Sequence, residues 1–370
     1  MNLLDILPHY AGRKVLVTGH TGFKGSWMSF WLHQLNAQVT GLSLEPPSSP
    51  SLYSELELGK LIQDFRIDIR KISEVRKVFE KVQPDIVFHL AAQALVRESY
   101  SHPLDTLNTN ILGTANILEV CRYIPSIRGV VIITSDKCYK NQEWLWGYRE
   151  NEPMGGFDPY SVSKGCAELV TSSYVNSFFS PKEFGKKHHV AIASARGGNV
   201  IGGGDWATDR IIPDCIRALS KNEAVSIRSP HAIRPWQHVL ELLNGYLLLG
   251  DQLLREGPEF SGGWNFAPLD RGDIWPVKKV VQKICELWED GTYKIQAGIH
   301  PHEASMLSLD ASKAYFKLGW RPRWNVEKSI EKTIQWYESW LRDRSAKSIQ
   351  RICKRQIEDY LLDENETGEE

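Results

Sequence analysis

The sequence lacks two features that would point to membranes or nucleic acids, namely a long hydrophobic run and an excess of positive charge. No apolar run reaches the roughly 18 residues that span a bilayer, and the residues after Met1 lack the basic and apolar segments of a signal peptide. The 44 lysines and arginines are balanced by 45 acidic residues, which leaves a formal net charge of −1. Nucleic-acid-binding domains show a basic excess, so we expect neither nucleic acid nor a membrane as a partner.

Cysteine is scarce and scattered. The six cysteines form no Cys-x-x-Cys pair, and no His/Cys spacing typical of a metal site occurs. Free thiols in a reducing compartment are the simplest interpretation. We therefore expect a cytoplasmic protein without a metal ion.

Strand-like and helix-like segments alternate over the first 135 residues. The pattern predicts strands at 14–18, 38–42, 66–68, 86–90 and 130–134, and helices at 73–82 and 107–123. Such alternation forms right-handed βαβ units on a parallel sheet. We predict an α/β fold, a Rossmann-type doubly wound parallel sheet with a smaller, mixed C-terminal substrate lobe.

Three glycines follow the first predicted strand in the pattern Gly-x-x-Gly-x-x-Gly. Gly19 allows a tight turn, Gly22 lets backbone N–H groups approach a pyrophosphate, and Gly25 lets the next helix pack on the strand. A glycine triplet can also mark an ordinary turn. Its place between a strand and a helix favours a dinucleotide-binding loop.

The length of 370 residues exceeds what one compact core usually holds, so we expect two lobes. The dinucleotide-binding domain is assigned to residues 1–200 and the substrate lobe to residues 201–350, with re-entry of the chain into the first domain in places. Residues 351–370 are predicted to form an acidic, partly disordered tail.

A second motif, Tyr160-x-x-x-Lys164, places a phenol and an ammonium on one face of a helix. The lysine can stabilise the phenolate and lower the pKa of the tyrosine toward neutrality. The phenolate can then take the proton of an alcohol that is being oxidised. An ordinary surface pair is the alternative, but the motif follows the glycine loop and a strand that ends in Thr134-Ser135-Asp136.

With these motifs the chain resembles the extended short-chain dehydrogenase/reductase family over roughly residues 12–340. An acid after the serine, Asp136, is similar to the nucleotide-sugar 4,6-dehydratases of that family, because epimerases usually lack it. The resemblance also rests on the following segments: Asp68-Ile69, His89–Gln93, Asn110-x-x-Gly113-Thr114 and Arg196-x-x-Asn199. Ser135-Asp136-Lys137, the run 231–238, and residues 302–304 and 309–313 most resemble the group that acts on CDP-glucose.

This resemblance implies an internal redox reaction that converts CDP-glucose to CDP-4-keto-6-deoxyglucose and water through bound NAD. Ser135 and Tyr160 would hold the C4 hydroxyl, Tyr160 would take its proton, and Asp136 would protonate the leaving C6 hydroxyl. Asp136 must then be protonated near neutral pH, which requires burial or a nearby negative charge. Lys164 would contact the nicotinamide ribose.

Lys137 stands where related enzymes commonly carry a glutamate that removes the C5 proton. A lysine acts as a base only when desolvation or neighbouring cations depress its pKa. Lys137 is therefore either the C5 base or a cation that stabilises the enolate.

The cofactor contacts implied by the resemblance surround the glycine loop and the ends of the third and fourth strands. No Arg or Lys lies between residues 38 and 55 to receive a 2′-phosphate, which favours NAD over NADP. Either Ser43 or Glu45 is the ligand of the adenine ribose, and Glu45 has the expected spacing from the glycines. The full set is Gly19, Gly22, Phe23, Lys24, Gly25, Asp68, Ile69, Leu90, Ala91, Ala92, Tyr160 and Lys164.

For the substrate we expect a nucleotide-diphosphate sugar. Arg234 is a candidate phosphate ligand because guanidinium binds phosphate in a bidentate manner, and Gln93, Asn199 and Arg210 are further candidates. An epimerase, a dehydratase for a dTDP-, UDP- or GDP-sugar, and a catalytically silent NAD-binding scaffold are the alternatives. Relatives commonly dimerise through two helices per subunit, so we expect a homo-oligomer, a dimer or tetramer, with residues 103–123 and 160–180 at the interface.

Overall fold

The computed structural model describes residues 7–268, 274–289, 291–296 and 307–363. The motif at 302–304 and the tail residues 364–370 lie outside the described residues. The strands in chain order are β1 Lys14–Thr18, β2 Gln38–Ser43, β3 Gln63–Arg66, β4 Ile86–His89, β5 Gly129–Ile133, β6 Ala191–Gly197, β7 Val200–Ile201, β8 Val225–Ile227, β9 Ile233–Pro235, β10 Gln237–His238, β11 Gly262–Phe266, β12 Ile274–Pro276 and β13 Tyr293–Ile295.

The helices connect these strands and cover the sheet. In chain order they are α1 Phe23–Gln34, α2 Leu52–Glu55, α3 Ile72–Val82, α4 Val96–Ser101, α5 Pro103–Leu107, α6 Gly113–Cys121, α7 Pro159–Phe178, α8 Ile211–Leu219, α9 Val239–Arg255, α10 Val277–Leu287, α11 Val326–Arg342 and α12 Ala346–Leu362. A π-helical turn at Asn108–Leu112 joins α5 to α6, and a 3-10 turn at Asp136–Cys138 follows β5.

The described residues form a seven-stranded parallel sheet in the order β11-β6-β5-β4-β1-β2-β3. Strands one to six have the order 3-2-1-4-5-6 of dinucleotide-binding sheets, and the predicted doubly wound fold is confirmed. Both faces of the sheet are buried, since Val15 and Val17 join one apolar core and Leu16 joins the other. Continuous apolar runs are what a parallel sheet covered on both faces requires.

Four of the five predicted strands of the first domain are confirmed, and the third is wrong. It was assigned to residues 66–68, but β3 spans Gln63–Arg66 and lies at the edge of the sheet. Its residues are partly exposed and mostly polar, so they lack the apolar signal of a central strand. Apolar Ile67 lies just beyond the strand and donates its N–H to the carbonyl of Ser43.

The assignment of residues 351–370 to a tail is corrected by α12, which continues to Leu362. Ile349, Cys353 and Ile357 recur at four-residue spacing and are fully buried against the rest of the protein. The exposed side of α12 is rich in charge, which concealed this apolar stripe in the overall composition. Tyr360 completes the contact by packing edge-on against Trp31 of α1.

The range 201–350 does not form a separate body in the structure. Strand β11 pairs with β6 as the seventh strand of the main sheet, and α9 packs on β5 and β6. The other described elements of this range are three two-stranded ladders, β10 with β7, β12 with β9 and β13 with β8, together with α8, α10, α11 and the start of α12. The chain therefore passes back through the first domain before it completes the smaller lobe.

The described residues include every cysteine of the chain and contain no disulfide. All six cysteines are free. Among residues 7–268, 274–289, 291–296 and 307–363, no helix combines the length and apolar character that a bilayer crossing requires.

Candidate active site

The glycine loop between β1 and α1 has the geometry of a phosphate cradle. Gly19 has a φ of +76°, and a Cβ there would lie 2.7 Å from the backbone nitrogen of Ala91. A Cβ on Gly25 would lie 2.0 Å from the carbonyl oxygen of Gly19. Gly22 precedes α1 without a side-chain cap, so the first N–H groups of the helix remain available to an anion. These residues fit the pyrophosphate of a dinucleotide.

The strand ends next to this loop hold the other proposed cofactor contacts. Leu90, Ala91 and Ala92 follow β4, and the N–H of Ala91 donates to Thr18 Oγ1 at 3.1 Å. Ile69 is buried against Gly113. Asp68 lies at the same edge, but the Arg70 guanidinium binds its carboxylate and holds its pKa below the usual range. A contact from Asp68 to a cofactor would therefore share the carboxylate with Arg70.

The residues predicted to be catalytic converge on the carboxyl end of β5. Ser135, Asp136 and Lys137 follow this strand directly. Tyr160 lies in the first turn of α7, whose start is set by Pro159 and by Asp158, which caps the N–H of Ser161. Together with Lys24 of the glycine loop, all four line one cavity of about 940 Å³.

A chain of hydroxyl contacts links Tyr160 to Asp136. Ser135 Oγ donates to Asp136 Oδ1 at 2.7 Å, and a hydrogen bond with Ser135 also reaches Tyr160. Burial raises the pKa of Tyr160 to about 12, against the opposing effect of Ser135. The expected lowering of this pKa by Lys164 is therefore wrong for the structure, in which desolvation dominates.

The position of Lys164 explains why this residue does not lower the pKa of Tyr160. Its ammonium is buried behind the cavity and donates to the carbonyl of Ile133 at 3.3 Å. Burial lowers the pKa of Lys164 to about 8, while the nearby Glu168 carboxylate opposes that shift. Glu168 is itself bound by Arg196 at 2.8 Å and by Ser194 at 2.7 Å. The arginine of the Arg196-x-x-Asn199 motif thus has a structural role beneath the site.

The structure shows the first of the two alternatives expected for Asp136, which were burial or a nearby negative charge. The residue is 2% exposed, so it is buried as expected. Its charged neighbour is a cation, however, because Lys137 Nζ lies 3.5 Å from Oδ1. The two side chains that the sequence places side by side form an ion pair in the cavity.

Cations are concentrated around this pair. Burial, together with the charges of Lys164, Arg210 and Lys137, lowers the pKa of Lys24 to about 7, whereas Asp136 opposes this shift. Such a concentration of positive charge favours anionic ligands in the cavity.

Three of the four predicted substrate residues line the cavity, and one does not. Asn199, Arg210 and Arg234 are in its wall, and Arg210 NH1 pairs with Asp205 Oδ2 at 2.9 Å. Gln93 is the correction, since it is not among the lining residues and its side-chain amide bonds to Leu95 and Thr106. Gln93 stabilises the turn after β4, and its side-chain amide, which suggested substrate binding, is hydrogen-bonded within that turn.

Two arginines of the cavity were missed by the sequence analysis. Arg97 and Arg228 both bind Asp209 Oδ1, at 3.1 and 2.9 Å, and the Arg228 guanidinium lowers the pKa of that carboxyl. Arg97 lies in α4 and Arg228 directly follows β8, so they come from segments far apart in the chain. For Arg228 the available signal was a cation just after a strand end, which is where α/β sites lie.

Comparison with known proteins identifies relatives that match most of this chain. The model of the family described as GDP-mannose 4,6 dehydratase matches residues 16–333. The chain is 50% identical over 354 residues to a CDP-glucose 4,6-dehydratase from Salmonella typhimurium, with 95% of this chain and 97% of the relative covered. It is 26% identical over 348 residues to a dTDP-glucose 4,6-dehydratase from Haemophilus influenzae, covering 87% of this chain and 97% of that protein.

Solved structures show the same fold at low sequence identity. An epimerase from Methanothermobacter thermautotrophicus superposes with a TM-score of 0.77 at 22% identity, covering 92% of this chain and 96% of the other. A dTDP-glucose 4,6-dehydratase from Bacillus anthracis in complex with NAD gives a TM-score of 0.72 at 19% identity, covering 88% and 97%. The extent of the family match and the 50% identity lead to one conclusion: the chain belongs to the GDP-mannose 4,6 dehydratase family.

Proposed function

We propose that the protein is an NAD-dependent CDP-glucose 4,6-dehydratase, a carbon–oxygen lyase that forms CDP-4-keto-6-deoxyglucose and water. The observation that carries the proposal is the presence of Ser135, Asp136, Lys137 and Tyr160 in one cavity beside the glycine loop. The 50% identity to a CDP-glucose 4,6-dehydratase supports the choice of nucleotide sugar. The free cysteines are consistent with a reducing compartment, and we propose the cytoplasm.

The first half of the reaction is the oxidation of C4. The glycine loop and the ends of β3 and β4 would hold NAD, which would supply the acceptor for the C4 hydride and the donor of that hydride to C6, while a proton returns to C5. Tyr160 takes the proton of the C4 hydroxyl, and because its pKa is about 12 it is itself protonated near neutral pH. It must therefore pass a proton on as it receives one. The Ser135 hydroxyl, 2.7 Å from Asp136 Oδ1, provides the route to the Asp136 carboxylate.

The second half is the loss of water across C5 and C6. The 4-ketone acidifies the C5 proton, and its removal leaves an enolate. Asp136 then donates a proton to the C6 oxygen, and the C6–O bond breaks. A proton that arrives through Ser135 leaves Asp136 in the acidic form that this step requires, even though its charged neighbour is Lys137.

Lys137 acts at C5 in this scheme, and three variants separate its two possible roles. We expect Lys137→Ala to slow incorporation of solvent deuterium at C5 while C4 oxidation persists. Lys137→Glu should restore some exchange if Lys137 is the base, because a carboxylate can take the same proton. Lys137→Glu should instead show less C5 exchange than Lys137→Ala if Lys137 is a cationic stabiliser, because a negative charge would then face the enolate.

The measurement is C5 deuterium content after a single turnover, determined by mass spectrometry. Lys140→Ala is the matched control, since Lys140 is an exposed lysine three residues away. Exchange in Lys137→Ala equal to that of the wild type would remove Lys137 from the chemistry.

The substrate assignment is tested by comparing nucleotide sugars directly. The protein is incubated with CDP-glucose and with the dTDP-, UDP- and GDP-linked sugars, and the 4-keto product is followed by its chromophore in alkali. We expect the highest kcat/KM with CDP-glucose. A preference for another nucleotide would leave the reaction class intact and overturn the substrate. Formation of a C4 epimer without a 4-keto product would overturn the dehydratase assignment.

For the pyrophosphate of the substrate we propose Arg97 and Arg228 in addition to Asn199, Arg210 and Arg234. The two arginines share Asp209, so two guanidinium groups already converge on one anionic group at the cavity wall. A pyrophosphate offers the same kind of acceptor with more charge. Gln93 is not included, for the reason given above.

We also propose a homo-oligomer built on the outer face of α5 to α7. Leu104, Leu112 and Leu169 are 73%, 56% and 59% exposed, respectively, on these elements. Leu104 and Leu112 lie on α5 and the π-helical turn, and Leu169 lies on α7. A twofold interface would bury this face against its own copy as a four-helix arrangement.

Leu169→Asp is expected to weaken this interface without unfolding the subunit. The lower mass should appear in light scattering behind size-exclusion chromatography, with an unchanged circular dichroism spectrum. Phe316→Asp is the control, since Phe316 is 80% exposed and lies outside this face. An unchanged mass for Leu169→Asp at low protein concentration would place the interface elsewhere.

A further inference from the structure

Two buried side chains of opposite charge lie one helical turn apart on α7. Lys164 and Glu168 are four residues apart, so they lie on one face of the helix, and they are 6% and 5% exposed. Lys164 Nζ donates to the carbonyl of Ile133 at 3.3 Å, and Thr134 Oγ1 donates to Glu168 Oε1. Both side chains of α7 therefore bind neighbouring residues at the end of β5, directly before Ser135.

Residues of β6 hold Glu168 in place and in its ionised form. Arg196 NH2 lies 2.8 Å from Glu168 Oε2, and Ser194 Oγ donates to the same oxygen at 2.7 Å. Burial opposes ionisation of the carboxyl group, but the Arg196 guanidinium and the hydrogen bonds outweigh it and hold the pKa of Glu168 below its usual value. The carboxylate is therefore charged throughout the neutral and alkaline range.

Glu168 is the charged counter-ion of Lys164 among the described residues. Burial lowers the pKa of Lys164 to about 8, while Glu168 and Cys138 act in the opposite direction. The Cys138 thiol in the turn after β5 is neutral, because burial raises its own pKa well above the usual value. His89 of β4 is also neutral, because burial lowers its pKa to about 3. Of the described groups that interact with Lys164, Lys24 of the glycine loop changes charge in a nearby range, since its pKa is about 7.

We propose that Glu168 is a positioning residue that keeps Lys164 charged and holds α7 against the end of β5. The inference rests on the proposed NAD-dependent function, in which Lys164 contacts the nicotinamide ribose. The hydrogen bonds that an ammonium donates are stronger than those of a neutral amine. A buried ammonium without a counter-ion loses its proton at a lower pH. Glu168 therefore extends to higher pH the range over which the protein holds the dinucleotide.

The test measures the Kd of the full-length protein for NAD+ as a function of pH, by quenching of its tryptophan fluorescence and without substrate. We expect binding to the wild type to weaken above about pH 8, where Lys164 loses its proton. Glu168→Gln should move the onset of this weakening to lower pH by about one unit or more, because the opposite charge is lost. Ser194→Ala is the matched control, since it removes one hydrogen bond to Glu168 and leaves the charge, so the onset should stay in place.

Lys164→Met identifies the group that titrates. This variant should bind NAD+ more weakly than the wild type does, and its Kd should no longer rise above about pH 8. A rise that persists in Lys164→Met would assign the titration to Lys24 or to another group and would overturn the proposal. An onset in folded Glu168→Gln that equals that of the wild type would also overturn it.

Glu168→Asp covers the case in which Glu168→Gln does not fold, as judged by circular dichroism. Aspartate retains the charge but withdraws it from Lys164 by one methylene group, so the onset should move to lower pH by a smaller amount. An unchanged onset in that case contradicts the proposal. Either negative result could stand beside full turnover of CDP-glucose, which would leave the proposed function intact. A wild-type protein that does not bind NAD+ would overturn both.

Discussion

Replacement of Tyr160 by phenylalanine is expected to abolish turnover of CDP-glucose while the protein stays folded. Tyr160 is the proposed acceptor of the C4 hydroxyl proton, and Tyr160→Phe removes the phenolic oxygen that would accept it. Loss of a general base typically costs on the order of 100-fold to 10,000-fold in rate. Phenylalanine keeps the ring that packs in the cavity wall, so the change is confined to the hydroxyl.

The assay follows C4 oxidation by the absorbance of the reduced nicotinamide and product by the alkaline chromophore. Both signals should fall together in Tyr160→Phe, because the proton transfer precedes every later step. Tyr123→Phe is the control, since Tyr123 is 55% exposed and lies outside the cavity. Turnover of Tyr160→Phe within about tenfold of the wild type would show that another group takes this proton.

Asp136→Asn is expected to separate the two halves of the reaction. Asparagine matches aspartate in shape but cannot donate an acidic proton to the C6 oxygen. Water loss should slow by about 100-fold or more. Oxidation should slow less, because Tyr160 and Ser135 remain and the proton can leave through the open cavity. Reduced nicotinamide should therefore accumulate in a single turnover while the 6-deoxy product does not.

The decisive quantity is the ratio of the two rates in the same reaction. Asp343→Asn is a suitable control, because Asp343 lies at the end of α11, outside the cavity, and its carboxylate binds Ser345. If product and reduced nicotinamide fall in equal proportion, Asp136 acts in the oxidation alone. If product forms at the wild-type rate, the acid of the elimination is a different group.

The local motifs of the site were readable in the sequence because each depends on a few neighbouring residues. Gly19 and Gly25 are required by contacts within their own turn and with the adjacent strand. Tyr160 and Lys164 share a helix face, but the sequence overstated their electrostatic coupling. Whether Lys164 lowers the pKa of Tyr160 depends on the direction of its side chain, which is set by the carbonyl of Ile133 and by Glu168.

Two of the errors share a physical cause, since each concerns an element whose place depends on a distant partner. Strand β3 is polar and gains its place by pairing with β2 at the sheet edge. Helix α12 is stabilised by burial against α1 and α11, which a charge-rich composition does not reveal. Gln93 has a polar side chain after a strand end, as a ligand would, but the turn around Leu95 and Thr106 uses its hydrogen bonds.

The sequence by itself determined the alternation of strands and helices in the first domain, the glycine loop, and the segment at 135–137 that is predicted to be catalytic together with Tyr160. Periodicity and short motifs contain that information, because they reflect contacts over a few residues. Only the tertiary structure decided which distant charges meet. It paired Asp136 with Lys137 inside a cation-rich cavity, joined Arg97 to Arg228 through Asp209, and brought Arg66 and Glu45 together where β2 and β3 end. Parallel strands collect their carboxyl ends at one edge, and that convergence cannot be read from spacing along the chain.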